Sequence, residues 1–231
     1  MNSEGHRQLQ EAVKKYRMPE AAVELLQNHP PLIIAGITAS GKNTILDYIQ
    51  QNSDWRHVVT HTTRPPREVE KTGQNYWFVD EREMLELLSA QAMIEANLVH
   101  SDTVYGTSIK AYEDVLASGH KPLLIIDVQG VEQIINHVHG LHPIFLLPPD
   151  SGAWMERLNK RGHMSHVERL SRLRSARQEL EAALSSQHFT LVVNSEVTQA
   201  AQQILGGVVT EAVQKHNQDL ARRLIEHSRA Y

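Results

Sequence analysis

The 231-residue chain contains no cysteine, which excludes disulfides and thiolate-ligated metal centres outright. No apolar run approaches the roughly 20 residues that span a bilayer. The polar N-terminus shows no secretory pattern, so a cytoplasmic location and no membrane partner are expected. Neither sign of charge dominates: 23 Lys and Arg against 27 Asp and Glu leave a net charge of −4. That balance gives no reason to expect a broad nucleic-acid surface. No internal repeat or low-complexity tract occurs. What remains, 41% hydrophobic and 22% charged, is an ordinary globular composition. The length suits one large or two small domains with a substantial core.

Histidine is plentiful, with 14 residues. His137, His139 and His142 surround Gly140 between a helical and a strand pattern, and no carboxylate nearby completes a ligand set. The spacing reads as a solvated turn rather than a metal centre. His163 and His166 are read the same way.

Residues 1–29 carry helical spacing through Leu9, Ala12, Val13, Tyr16, then Ala21, Ala22, Leu25 and Leu26, with Pro19 in the first turn of the second helix. Pro30-Pro31 ends it. Apolar runs at 32–35, 55–59, 123–128, 144–147 and 189–193 alternate with helical patterns near 108–118, 129–138, 151–160, 166–184, 197–214 and 217–229. Near-continuous hydrophobicity in the runs fits strands buried on both faces of a parallel sheet, hence a three-layer α/β architecture. Residues 61–107 break the rhythm with Pro65-Pro66, a turn at Gly73, short strand-like pieces at 76–79 and 93–95, and one helix near 81–90. They are expected to form an inserted, largely strand-built subdomain.

The chemistry is densest at Gly36-Ile37-Thr38-Ala39-Ser40-Gly41-Lys42-Asn43-Thr44, directly after the run Leu32-Ile33-Ile34-Ala35. A strand, a glycine-rich turn and a lysine opening a helix form a phosphate cradle. Backbone N–H groups and the positive helix terminus face the anion, and Lys42 reaches the outer phosphates. The bland alternative is a tight strand-to-helix connection with no ligand. Asn43 stands where a Ser or Thr hydroxyl normally meets a magnesium ion. A second polar cluster, Thr60-His61-Thr62-Thr63-Arg64-Pro65-Pro66-Arg67, sets two guanidinium groups three residues apart on a proline-stiffened loop. By local sequence it is either a second anion site, since guanidinium matches phosphate bidentately, or a solvated basic loop.

Taken in order, Thr60 to Arg67 and Gly73-Gln74-Asn75-Tyr76-Trp77-Phe78-Val79 resemble the guanylate kinase family, which reads roughly S-x-T-T-R-x-P-R…G-x-D-Y-x-F-V. The likeness continues through Ile94-Glu95, Tyr105-Gly106-Thr107-Ser108, Ile126-Asp127-Val128-Gln129-Gly130, Leu147-Pro148-Pro149, Arg157 to Gly162, Arg172-Leu173 and Val193-Asn194. It covers about 32–205 in near-family spacing. The resemblance implies a three-layer P-loop fold with a parallel central sheet, an inserted mostly-β GMP-binding subdomain and a helical lid. The implied division is a helical extension over 1–29, a kinase-like domain over 30–206 and a second helical extension over 207–231. Within the domain, the core comprises 30–60 and 108–206, the insertion is about 61–107 and the lid about 162–171.

By the same resemblance, Gly36, Thr38, Ala39, Ser40, Gly41, Lys42, Asn43 and Thr44 hold ATP, and Arg64, Arg67, Tyr76 and Tyr105 hold the phosphate of GMP or dGMP. Glu95 accepts from guanine N1–H and the 2-amino group, with Thr60 and Thr107 helping to read the base. Asp127 lies near substrate and metal. Lys42, Arg64, Arg157, Arg161 and Arg172 surround the migrating phosphoryl group. The implied cofactor is Mg2+, with Asn43 and Asp127 as candidate ligands. A carboxylate suits the two adjacent donors on guanine but not the donor–acceptor edge of adenine. Outside this context Tyr76 and Tyr105 would read as core residues, Glu95 as a surface charge, and Arg157 and Arg161, one helical turn apart, as solvated.

Departures accompany the matches. Asn43 replaces the loop hydroxyl, Ile125 the first aspartate of D-x-D-x-Q-G, Asn75 the aspartate before Tyr76, and Ser195 and Glu196 the aspartates after Asn194; one residue is inserted between His100 and Tyr105. The primary reading is ATP:GMP phosphotransfer. The alternatives are a guanylate-kinase-like binding module without catalysis, and a same-fold kinase for another phosphorylated small molecule.

Overall fold

The chain begins with two helices, α1 (Ser3–Lys15) and α2 (Glu20–Asn28), before strand β1 (Leu32–Gly36) and helix α3 (Lys42–Asn52). Short strands β2 (Trp55–His57), β3 (His61–Thr62) and β4 (Trp77–Phe78) lead to α4 (Glu81–Ser89), a longer pair β5 (Met93–Val99) and β6 (Thr103–Ser108), and α5 (Ile109–Ala117). Then follow β7 (Lys121–Ile125), α6 (Val128–Ile135), β8 (Ile144–Leu147), α7 (Ser151–Asn159), α8 (His166–Ser185), β9 (Thr190–Val193), α9 (Val197–Gly206) and α10 (Glu211–Arg229). This computed structural model describes residues 3–99, 103–160, 164–207 and 209–230. No described helix is long and apolar enough to cross a membrane.

The residues divide into two compact units, one of Met1–Pro31, Trp55–Leu124 and Gln129–Leu141, the other of Leu32–Asp54, Ile125–Val128 and His142–Tyr231. The first holds a four-stranded sheet in the order β4-β3-β6-β5, antiparallel where β6 meets β3 and β5 and parallel between β3 and β4, together with the parallel pair β2–β7. Its core joins Leu9 and Val13 of α1, and Tyr16 directly after that helix, to Met84 and Leu88 of α4 and to Met93, Ala96 and Val104 of the sheet. The Tyr16 hydroxyl donates to the Met93 carbonyl at 2.8 Å and lies 3.1 Å from the Met93 N–H, tying α1 to the first residue of β5. The N-terminal extension thus packs into this unit's core.

A register shift between Met93 and Glu95 places this unit's chemistry. Alternation along an unbroken strand would turn Met93 and Glu95 to the same face. The irregularity adds a residue, so Met93 and Ala96 both enter the α1–α4 core while Glu95 and Asn97 turn to the other face. On β6, Val104 joins the same core, and Tyr105 and Thr107 fall opposite Asn97 and Glu95 in the ladder.

The second unit is built on the parallel ladder β1–β8–β9, with Ile34 opposite Ile144 and Phe145 opposite Leu191. All four residues of β8 are buried, as expected of a parallel strand covered on both faces. Helix α3 packs on α9, and α10 packs on α8 and β9. β9 lies at the end of the strand order. Along it, Gln214 of α10 accepts from the Leu191 N–H at 3.0 Å and donates to the Phe189 carbonyl at 3.1 Å, while Asn217 donates to the Leu191 carbonyl at 2.7 Å.

The mixed α/β architecture with parallel strands at its centre is the one that the alternating pattern predicts. Several boundaries differ. The helix expected over 197–214 is two helices: Gly207 adopts φ 64 and closes α9, and Thr210 caps α10 by accepting from the Val213 N–H. The strand expected to 128 ends at Ile125, and Val128 opens α6. That expected over 55–59 ends at His57, with Val58 still donating to the Leu123 carbonyl. Pro19 is the residue before α2 rather than in its first turn. β6 was not among the expected strands.

Candidate active site

In the second unit, β1 delivers the glycine-rich turn. Gly36 has φ 149, and a Cβ there would lie 2.5 Å from the Leu146 carbonyl oxygen, so only glycine fits against β8. Ala39 (φ 62) and Gly41 (φ 98) complete the turn in the left-handed region, and α3 starts at Lys42. The turn's carbonyls are held from behind. The Trp154 indole N–H donates to Thr38 at 2.9 Å, Asn194 to Ser40 at 2.9 Å, Arg157 to Ser40 at 3.3 Å, and Lys42 to Gly36 and, at 3.1 Å, to Ile37. Carbonyls committed in this way leave the N–H side of the turn to converge on an anion. The buried Ser40 Oγ and Asn194 Oδ1 have no hydrogen-bond partner among the described residues, which is uncommon away from ligand sites.

Arg157 also donates to the Asn194 carbonyl at 3.1 Å, so this α7 arginine braces the loop rather than projecting into solvent. Asn43 and Thr44 are exposed in the first turn of α3. α7 is described over Ser151–Asn159; Arg161 and His163, and with them the expected pairing of Arg157 with Arg161, lie outside the described residues. Arg172, in the second turn of α8, faces Glu168 electrostatically. Among the described residues no three His, Asp or Glu cluster as a metal site.

Glu179 of α8 was not among the candidate residues. Protein packs closely around its carboxyl, and burial pushes its pKa up to about 7, with Lys42 opposing the rise and Asp127 adding to it. The signal lay in the helix stripe: Ala176 and Ala183, three residues before and four after, are both buried. A carboxyl whose pKa is higher folded than unfolded favours folding most below about pH 4.5, and that contribution is lost as pH rises through about 7. In metal- and nucleotide-free buffer, Glu179→Gln should therefore melt like the wild type near pH 4.5 and several degrees higher above pH 8. Parallel melting curves across this range would show that Glu179 is not the cause.

In the first unit, Arg64, Arg67, Tyr76 and Tyr105 come together. The Arg64 guanidinium lies 5.5 Å from the Tyr76 ring centre and donates through Nε to the Tyr105 hydroxyl at 3.1 Å; the two tyrosine rings meet edge to face at 5.6 Å. The unexpected member is Glu70. Arg64 grips it through both Nη atoms at 2.9 and 3.0 Å, and Arg67 donates its backbone N–H at 2.8 Å and places its guanidinium 3.9 Å away. Burial opposes both charges, but these hydrogen bonds outweigh it and hold Glu70 below and Arg64 above their ordinary pKa values. The cage therefore binds an oxyanion built into the chain itself.

On the re-aimed face of β5, Glu95 is 3% exposed, a costly position for a carboxylate without partners. Thr107 donates to its Oε1 at 2.7 Å and Asn97 to its Oε2 at 2.9 Å. A Cβ at Gly130 of α6 would sit 2.9 Å from that Oε2, so α6 passes where only a hydrogen fits. Thr60 is buried on the strand side, its carbonyl accepting from the Trp77 N–H at 2.8 Å. Asp127 belongs to the other unit, beside Glu179. Sequence reasoning assigned no role to Glu70, Asn97, Gln133, Trp154 or Asn194.

Comparison with known proteins bears on the family of the whole chain. A family model described as guanylate kinase matches residues 28–211. The chain is 37% identical over 175 residues to a guanylate kinase of Leifsonia xyli, covering 75% of this chain and 68% of that one. It is 34% identical over 177 residues to a guanylate kinase of Schizosaccharomyces pombe, covering 75% and 87%. The crystal structure of a guanylate kinase from Anaplasma phagocytophilum superposes with a TM-score of 0.56 at 26% identity, over 85% of this chain and 94% of that one. On sequence and structure alike, the chain belongs to the guanylate kinase family.

Proposed function

We propose that the protein transfers the γ-phosphoryl group of ATP to GMP or dGMP, giving ADP and GDP or dGDP. The observation that carries this reading is the buried Glu95 carboxylate, an acceptor-only group held by Thr107 and Asn97 in the unit that also holds the arginine–tyrosine cage. The carboxylate suits a base with two adjacent donors, and the cage suits a phosphate. In this reading Glu95, Thr60 and Thr107 read guanine, and the GMP phosphate displaces Glu70 from Arg64 and Arg67, with Tyr76 and Tyr105 alongside. ATP lies on the turn 36–44.

A GMP phosphate oxygen attacks the γ-phosphorus in line as the bond to the β–γ bridging oxygen breaks, and ADP leaves. The charge sits on the equatorial oxygens, so the chain's work is positioning and cationic stabilisation, by Lys42, Arg64, Arg157, Arg161 and Arg172. The lid expected over about 162–171, whose first two residues lie outside the described residues, would close to exclude water. Asn43 and Asp127 would offer hard oxygen donors to a Mg2+ ion, which would supply positive charge to offset that of the phosphates. A cytoplasmic location suits a cysteine-free chain acting on these nucleotides.

A coupled assay of ADP release with ATP and magnesium, offering GMP, dGMP, AMP, CMP and UMP in turn, tests the reading. Turnover with GMP and dGMP alone is expected. Measurable GMP binding without turnover would move the protein to the binding-module alternative, and preference for another nucleotide would overturn the assignment of the base.

A further inference from the structure

The Glu95 carboxylate is held in place by a chain of amides that nothing in the phosphotransfer reading accounts for. Gln133 of α6 meets the Ala96 peptide on both sides: its Oε1 accepts from the Ala96 N–H at 3.3 Å and its Nε2 donates to the Ala96 carbonyl at 3.1 Å. The same Nε2 donates its other hydrogen to Asn97 Oδ1 at 2.7 Å. Because a backbone N–H can only donate, the Gln133 amide has one workable orientation. Asn97 then has one too, since its oxygen must face Gln133 and its Nδ2 must face Glu95, 2.9 Å from Oε2. The backbone of β5 therefore dictates, through two side-chain amides, which donor reaches the carboxylate.

The consequence is geometric. A carboxylate held by one hydrogen bond turns about its last torsion, which is broad and shallow. Loss of the Asn97 bond would return part of that freedom to the Oε2 side of the group. With Thr107 on Oε1 and Asn97 on Oε2, the plane of the group is set. The backbone of α6 runs close beside this pair at Gly130, where a Cβ would come within 2.9 Å of Oε2 and 3.2 Å of Asn97 Nδ2. Asn97 is 5% exposed and Thr107 fully buried, so bulk water does not compete for these positions.

We infer that Asn97 and Gln133 are positioning residues that fix the Glu95 carboxylate for a base with two adjacent donors, and so set discrimination against a purine lacking the second donor. This rests on the GMP reading above. A fixed carboxylate presents two oxygens at a set spacing and orientation, which rewards N1–H and the 2-amino group together. Hypoxanthine offers only N1–H. A carboxylate free to turn adapts to the single donor, and the penalty on IMP shrinks.

The test is steady-state kinetics with GMP and with IMP for the wild type, Asn97→Ala, Gln133→Leu and the double variant, with melting temperatures alongside. For Asn97→Ala, KM for GMP should rise about tenfold with kcat within about twofold, the signature of lost ground-state positioning. The ratio of kcat/KM for GMP over IMP should fall about five- to tenfold. Gln133→Leu should act in the same direction and more weakly. The double variant should match Asn97→Ala, because both act through one carboxylate. A GMP/IMP ratio equal to that of the wild type would overturn the inference, whether or not the variants melt earlier. An additive double variant would overturn the relay from Gln133. A wild type that does not phosphorylate GMP would instead refute the functional reading on which the inference stands, and that control separates the two failures.

Discussion

Replacing Lys42 with alanine should lower kcat by roughly 10³-fold or more while GMP affinity stays within about twofold. Loss of a single preorganised donor to a transition-state oxyanion costs about 10²–10³, and an ammonium on the transferring phosphates adds a full charge to that. Lys42 also has a structural task, since its Nζ donates to the Gly36 and Ile37 carbonyls and so helps hold the turn closed from behind. GMP affinity is expected to survive because every residue assigned to the base and its phosphate except Asp127 belongs to the other compact unit. Lys42→Arg makes the informative partner: it keeps a donor for the carbonyls but not a compact point charge. It should recover the melting temperature and little of the rate. Turnover of Lys42→Ala within tenfold of the wild type would remove Lys42 from the phosphoryl-transfer machinery.

Glu95→Gln should reduce kcat/KM for GMP by about 10²-fold or more, on the order of one or two charged hydrogen bonds. The substitution is nearly isosteric, so Gln Oε1 still accepts from Thr107. Its amide nitrogen then faces Asn97 Nδ2, donor against donor, and presents a donor to guanine's own donors. AMP turnover should not fall in parallel, because an amide can pair with the donor–acceptor edge of adenine. Glu95→Ala should weaken GMP binding by a similar factor, with an added loss of stability because Thr107 and Asn97 are left buried without their acceptor. Equal GMP affinity in wild type and variant, measured by calorimetry, would dissociate Glu95 from base recognition.

What the sequence made legible was what depends on local chemistry at fixed spacing. The turn 36–44 needs a strand before it, glycine where a Cβ would strike a neighbouring strand, and a lysine at the helix start, and all of these are written consecutively. The Arg64–Arg67 pair and the two tyrosines could be assigned as a group because family order placed them together. The residues that were missed take their roles from partners that local pattern does not name. Glu70 reads as one more surface charge until the fold bends it onto Arg64. Asn97 acquires meaning only through Gln133, 36 positions later. Glu179 is hidden among the charges of a long helix whose apolar stripe is broken by arginines and glutamates. Boundary errors had local causes. The Ala, Gln, Ile, Leu and Val residues from 197 to 214 continue a helical pattern across Gly206-Gly207 and mask the left-handed stop. In β6, Thr103–Ser108, a central glycine and flanking hydroxyls dilute the strand signal. The bulge before Glu95 is invisible to alternation, and it decides which face the carboxylate takes.

The amides of α10 along β9 bear on how the chain avoids its own kind. A strand that ends a sheet offers a ladder of unmet donors and acceptors to any other strand that drifts past. Gln214 and Asn217 occupy the rungs at Phe189 and Leu191 that such an intruder would use, and they do so from a helix, which cannot pass the ladder on. The C-terminal extension is then a seal on the last strand as much as a layer of packing. A chain cut after Gly206 would keep the turn 36–44 and Glu95 but bare that edge, and its behaviour would come to depend on how many copies share the solution.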